Sequence, residues 1–244
     1  MNSYCKDGTA HQLIDGFGAK TARNMSQIEI QNQVLQLLPE KALLWKEKSI
    51  LMVSDLHLGK SAHFRKSSYA VPEGLYQNDL ERLHQIIVDH KVQRVLILGD
   101  LFHSVYNPVW EAFGDFIKNH DEQSFELIVG NHDILSNHQY EKFNIILYKQ
   151  VLKLEPFVLV HDAADIVDHD NYHFTGHIHP GIRLRGKARQ SLRLPCFYFK
   201  EKYAVLPAFG SFTGCATIKP GKNDKVFGVL KDEVVDLSPH EVSE

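Results

Sequence analysis

The chain has 244 residues, 43% of them hydrophobic and 23% charged, the balance of a globular domain large enough to enclose a full core. Its net charge of −3 excludes a surface that binds polyanions everywhere, so any nucleic-acid contact has to be local. No apolar run approaches the ~20 residues that cross a bilayer, and no basic segment followed by an apolar one opens the chain, so neither a membrane span nor a secretory signal is expected.

Residues 1–24 are polar and aperiodic and read as a disordered extension, with Met25 at the start of the patterned chain and residues 25–244 as a single domain. From "IEIQNQVLQLL" the chain alternates as half-buried strands do. "ILMV" at 50–53 is a buried strand, and "LYQNDLERLHQIIVDH" spaces Leu80, Leu83, Ile86 and Ile87 as a helix. "VLIL" follows at 95–98, then a helix with Pro108 near its start, then "FELIV" at 125–129, "FVLV" at 157–160 and "YHFTG" at 172–176. Strand alternating with helix predicts an α/β layered fold. The last third, with "IRLRG", "SLRLPCFYF", "YAVLPAFG", "CATI", "VFGVL" and "EVVDL", predicts a second sheet stacked on the first. Cys5, Cys196 and Cys215 form no C-x-x-C pair and are odd in number, which suits free thiols in a reducing cytoplasm, two of them buried.

Five of the apolar runs end in residues that bind metals. They deliver Asp55 and His57, then Asp100, then Asn131 and His132, then His161, then His177 and His179. Gly99, Gly130 and Gly176 precede three of these groups, where a tight turn or a close backbone approach is needed. Singly, each is also a common turn signal. Together they predict one rim at the carboxyl ends of the strands, the usual place for a site in an open α/β sheet. Carboxylate, imidazole and amide oxygen without thiolate suit Mn²⁺, with Fe or Zn²⁺ also compatible. Seven candidate ligands (Asp55, His57, Asp100, Asn131, His161, His177, His179) are too many for one ion and fit two. Asp100 stands alone at its strand end and is the candidate bridge, which would hold two ions ~3.5–4 Å apart with a hydroxide between them.

In this order, D-x-H, G-D, G-N-H-D, a lone strand-end His and G-H-x-H resemble the motifs of the calcineurin-like metallophosphoesterase superfamily, over residues 55–179. The resemblance implies a four-layer α/β/β/α sandwich of two stacked mixed sheets with a dinuclear centre. It gives one metal Asp55, His57, Asp100 and His179, and the other Asp100, Asn131, His161 and His177. It makes His132 the catalytic residue that faces the leaving group. Asp133 either orients His132 or belongs to a turn. "DLHLGKSAHFRK", "GDLFHS", "GHIHPG" and "LPAFGSFTG" further resemble the ligase-associated, PdeM-like branch over roughly residues 25–215. That implies a phosphodiesterase or endonuclease acting on DNA in repair, with a DNA ligase and an Lhr-type helicase as partners.

Lys60 and Arg65 follow the first ligand loop and are candidate phosphate contacts, as are Arg183 and Arg185. If 183–189 were one strand, Arg183, Arg185, Lys187 and Arg189 would share a face. A hairpin tip at "RGKAR" would break that parity. Phe197, Tyr198, Phe199 and Trp110 read as core. Two other functions stay open: hydrolysis of a small nucleotide-type or lipid-linked pyrophosphate, and a metal-bound scaffold without turnover. The short stretch at 133–156 has no room for a large lipid-binding cap.

Overall fold

The computed structural model describes residues 26–60, 74–103, 105–167, 170–185 and 190–239. The chain opens with an antiparallel meander, β1 (Ser26–Ile30), β2 (Gln33–Leu38), β3 (Ala42–Trp45) and β4 (Ile50–Val53). Gln31 and Asn32 join the first two strands, both with positive φ, as a tight hairpin turn matched to strand twist requires. Parallel strands β5 (Arg94–Ile97), β6 (Ser124–Ile128) and β7 (Ile146–Tyr148) then extend the sheet from β4. Their crossovers hold helices α1 (Leu75–His90), α2 (Pro108–Lys118) and α3 (Asn137–Glu141).

The continuous apolar runs follow from burial on both faces. Leu51 and Val53 of β4 pack toward the helices, while Ile50 and Met52 pack toward the second sheet. β5 divides Val95 and Ile97 from Leu96 in the same way. Helix α1 answers with Leu80, Leu83, Ile86 and Ile87, each worth about 1.5–3 kcal/mol when fully buried. Helix α2 starts where the sequence predicts: Asn107 caps it by accepting from Val109 N–H, and Pro108 occupies the first turn. Trp110 is fully buried among Phe102, Tyr140 and Phe143.

The second sheet comprises β8 (Val151–Leu154), β9 (Phe157–Val160), β10 (Tyr172–Thr175), β11 (Pro180–Arg185), β12 (Ser191–Phe199), β13 (Tyr203–Val205), β14 (Ala216–Thr217), β15 (Lys225–Val229) and β16 (Val234–Asp236). β9, β10 and β13 run parallel and the long β12 pairs antiparallel, so this sheet is also mixed. Between the sheets lie Leu37, Met52, Leu96, Phe157, Phe174, Phe197 and Phe227. The two mixed sheets stack as expected, with α1, α2 and α3 on the first sheet. Among the described residues the outer face of the second sheet carries no helix. Cys196, Tyr198, Val205 and Val226 there are covered by Ile182, Tyr203, Ile218 and Leu237.

Phe197, Tyr198 and Phe199 are buried as core residues. Cys196 is buried, but Cys215 is only partly so, because it lies at the sheet edge beside β14. Both are free thiols. The expected N-terminal extension, residues 1–24, and Cys5 lie outside the described residues. No helix among the described residues is long and apolar enough to cross a membrane.

Candidate metal centre

The carboxyl ends of β4, β5, β6, β9 and β10 meet at one rim. Beyond them the chain turns sharply, and Asp55, His57, Asp100, His177 and His179 all hold positive φ, from 48° to 70°. Non-glycine residues rarely adopt that region, and it costs of order 1–3 kcal/mol each unless surrounding contacts enforce it. Those contacts are visible. Asp55 N–H donates to Gly99 O, His57 N–H to Asp100 O and Leu58 N–H to Leu101 O, which zips the first two ligand loops together. Glycine is required at all three of the expected approaches: a Cβ on Gly99 would lie 2.1 Å from His161 Nδ1, one on Gly130 2.4 Å from Asp100 Oδ1, and one on Gly176 1.8 Å from Ser54 Oγ.

The side chains form two groups, Asp55–His57–His179 and Asp100–His161–His177, each with ligand atoms within 4.8 Å of one another. In the first, His57 Nε2 and His179 Nε2 are 3.2 Å apart, and Asp55 Oδ1 lies 3.2 Å from His179 Nε2. In the second, His161 Nε2 lies 3.1 Å from Asn131 Oδ1 and 3.2 Å from His177 Nδ1. Asp100 faces both: Oδ2 is 3.7 Å from His57 Nε2, and Oδ1 is 3.5 Å from His161 Nε2. All seven expected ligands therefore sit together.

The donor set fits divalent cations. Asp55 Oδ1 is buried without a hydrogen-bond partner, an expensive state for a carboxylate oxygen unless a cation faces it. Asp55 Oδ2 is satisfied by Ser54 Oγ–H and His177 N–H. His161 Nδ1 donates to Leu98 O over 2.8 Å, which leaves the lone pair on Nε2, toward the cluster. Burial first, then the nearby Lys60 and His179, pushes the His57 pKa down to about 2, so its imidazole is neutral, the form that binds metals.

Around this cluster lie residues the sequence motifs did not assign. His103 Nδ1 is 3.2 Å from His57 Nδ1, and its ring packs on His132 with centroids 3.9 Å apart. Asp162 Oδ2 is 3.4 Å from His177 Nε2. Both adjoin motif residues, as the third residue after Asp100 and the neighbour of His161, and adjacency to a ligand was the available signal. Asp79 gave none. Its buried carboxylate accepts from Ser211 N–H and Oγ–H and pairs with Arg82 at 3.0 Å, across 132 positions of sequence. Arg82 also donates to Phe209 O, and Phe209 and Gly210 N–H donate to Ser54 and Asp55 O. This network pins the "LPAFGSFTG" segment against the first ligand loop.

The two possibilities for Asp133 resolve to the turn. Its carboxylate accepts from Gly130, Asp100 and Phe102 N–H, tying the second and third ligand loops, and no hydrogen bond to the His132 ring is formed. His132 lies at the mouth, with its ring against His57 and His103 and its N–H donating to Asp100 Oδ1.

Lys60 borders the cluster, and burial lowers its pKa while the charges of Asp100 and Asp55 oppose that shift. Arg65 lies outside the described residues. Of the two possibilities for 183–189, the hairpin holds and the four-cation stripe does not: Arg185, the last residue of β11, pairs antiparallel with Ser191, and Arg183 faces Arg193 across the ladder. Lys187 and Arg189 lie outside the described residues. Arg183, Arg185 and Arg193 share an exposed face that leads away from His179, with Arg183 about 13 Å along the strand.

The calcineurin-like phosphoesterase model matches residues 48–181, more than half of the chain. The chain belongs to the calcineurin-like phosphoesterase family. It is thus a metallophosphoesterase-superfamily hydrolase, and such enzymes use divalent metals. The crystal structure of Pseudomonas putida nuclease MPE is similar over 84% of this chain and 97% of that one, with 31% sequence identity and a TM-score of 0.72. The Escherichia coli phosphoesterase YfcE aligns over 73% and 86% of the two chains with 14% identity and a TM-score of 0.40. A search of curated proteins found no match.

Proposed function

We propose that the protein hydrolyses phosphodiester bonds in DNA with two divalent cations. Asp55, His57, Asp100 and His179 hold one, and Asp100, Asn131, His161 and His177 hold the other. The observation that carries this reading is the division of the Asp100 carboxylate, one oxygen toward His57 and the other toward His161. Bound cations supply neutralisation of the phosphoryl oxygens and a water acidic enough to attack at neutral pH. The chain's own groups do the remaining work. His132, at the mouth beside His57, gives a proton or hydrogen bond to the departing oxygen. His103 holds the His57 ring by its Nδ1 and stacks on His132, fixing both rings. Lys60 offers a positive charge to a phosphate at the cluster, and Arg183 and Arg185 hold backbone phosphates farther along the strand.

The nuclease MPE, 31% identical, supports a polynucleotide substrate, and the PdeM-like resemblance favours DNA. Oxygen and nitrogen ligands without thiolate favour Mn²⁺, with Fe or Zn²⁺ able to use the same set. We take the activity to serve DNA repair in the cytoplasm, with a DNA ligase and an Lhr-type helicase as partners, a reading the same resemblance supports. Asp100→Asn tests the bridge. Wild type should bind two equivalents of Mn²⁺, and the variant at most one, with hydrolysis at background. Two equivalents and normal turnover in Asp100→Asn would remove Asp100 from the bridge.

A further inference from the structure

The opposite end of the parallel strands holds a second histidine pair. His84 on α1 and His120, just past α2, bring Nδ1 and Nε2 to 2.9 Å, with ring centroids 5.1 Å apart and planes at 71°. His120 is buried, and its Nδ1 lies 2.8 Å from Phe116 O. A carbonyl oxygen only accepts, so Nδ1 carries the proton and Nε2 presents its lone pair toward His84.

This arrangement repeats the His161–His177 pair of the candidate metal centre. There Nε2 and Nδ1 are 3.2 Å apart, the centroids 5.0 Å and the planes at 79°, and His161 Nδ1 lies 2.8 Å from Leu98 O. A metal-binding histidine ordinarily donates its other N–H in this way, which fixes the tautomer and aims the lone pair. The His84–His120 pair borders an open cleft of about 540 Å³, roomy for a hydrated ion. Gln93 and Gln123 line it and immediately precede β5 and β6, so Gln93 lies seven residues of mostly extended chain, roughly 20 Å, before Asp100. Glu122 lines the same cleft, exposed and two residues past His120, and Lys91 on the rim is exposed to solvent.

We propose that His84 and His120 form a separate two-histidine site for a divalent transition metal of the Zn²⁺ type, completed by water. Two imidazoles bound to a tetrahedral Zn²⁺ place their nitrogens about 3.3 Å apart, so the pair has only to open by a few tenths of an ångström. An ion there joins α1 to the segment between α2 and β6 and acts as a staple, remote from the chemistry.

The test is equilibrium dialysis of full-length protein against micromolar Zn²⁺, with bound metal counted in wild type, His84→Ala, His84→Gln, Asp100→Asn and the Asp100→Asn/His84→Gln double variant. Each His84 variant should bind one equivalent fewer than its parent, including in the Asp100→Asn background, where loss at the catalytic centre is already counted. Zn²⁺ should also raise the thermal midpoint less in the His84 variants than in wild type, with diester hydrolysis unchanged. Equal stoichiometry in His84→Gln and its parent would overturn the proposal and leave the pair as an imidazole–imidazole hydrogen bond. That result would not touch the assignment of Asp100.

Discussion

Replacing Asp133 with alanine strands three buried backbone donors. Asp133 Oδ2 accepts from Asp100 N–H at 2.8 Å and Gly130 N–H at 2.9 Å, and Oδ1 from Phe102 N–H at 3.1 Å. Each unsatisfied buried donor costs about 1–3 kcal/mol, or about 3–9 kcal/mol together. Asp133→Ala also removes a carboxylate whose own burial and repulsion by Asp100 are unfavourable, so the lower end, about 3 kcal/mol, is the expected loss. Even that is a large part of the ~5–15 kcal/mol that holds a domain together. Asp133→Asn should cost less, about 1–3 kcal/mol, because its amide oxygen keeps the two-donor side and its NH₂ meets Phe102 N–H. Urea unfolding in the presence of a chelator separates this loss from metal binding. A wild-type midpoint in Asp133→Ala would refute the clamp. So would Asp133→Asn losing as much as Asp133→Ala, because charge and not acceptor geometry would then be what matters.

Three further outcomes are expected. His103→Ala should weaken Mn²⁺ binding about 10–100-fold, with partial recovery in His103→Asn, which keeps an acceptor for His57; metal titration checks this. Arg183→Ala should raise the KM for an oligonucleotide and lower its salt dependence by about one charge while sparing bis-p-nitrophenyl phosphate; equal loss on both substrates would remove Arg183 from the binding face. Glu126 is buried, which alone would raise its pKa, but hydrogen bonds from Arg94, Tyr148 and Ser124 hold it below its ordinary value of 4.5. Its stabilisation is therefore present above pH 4.5 and lost as pH falls through its folded value, and Glu126→Gln should flatten that acid-side loss in unfolding curves.

The rim of ligands was legible because parallel strands write it twice. Ile50–Val53, buried on both faces, reads as an unbroken apolar run, and the first polar residues after it must lie at the strand's carboxyl end. The same holds for Asp100 and His161. The hairpin after β11 was not fixed, because period-2 counting cannot tell a strand that continues from one that reverses. The pairing of Arg185 with Ser191 decides it. The Asp79–Arg82–Ser211 network was invisible for another reason. A buried aspartate and an arginine three residues on look like any helix-surface ion pair, and only the packing of Phe209–Ser211 onto α1 makes them a clamp. The positive φ values of His57, His177 and His179 likewise carry no signature in composition, because the loops that enforce them arrive from distant strands.

The central claim is that this rim cleaves phosphodiesters with bound divalent metal. The most direct measurement is hydrolysis by metal-stripped protein titrated with Mn²⁺, using bis-p-nitrophenyl phosphate, the matching monoester and a single-stranded DNA oligomer side by side. The account predicts Mn²⁺-dependent cleavage of the diester and the DNA, a poor rate on the monoester, and loss of all activity in Asp100→Asn. Cleavage of the small diester without the DNA would contradict the polynucleotide substrate. No cleavage of any of the three with Mn²⁺, Fe²⁺ or Zn²⁺ would contradict catalysis itself.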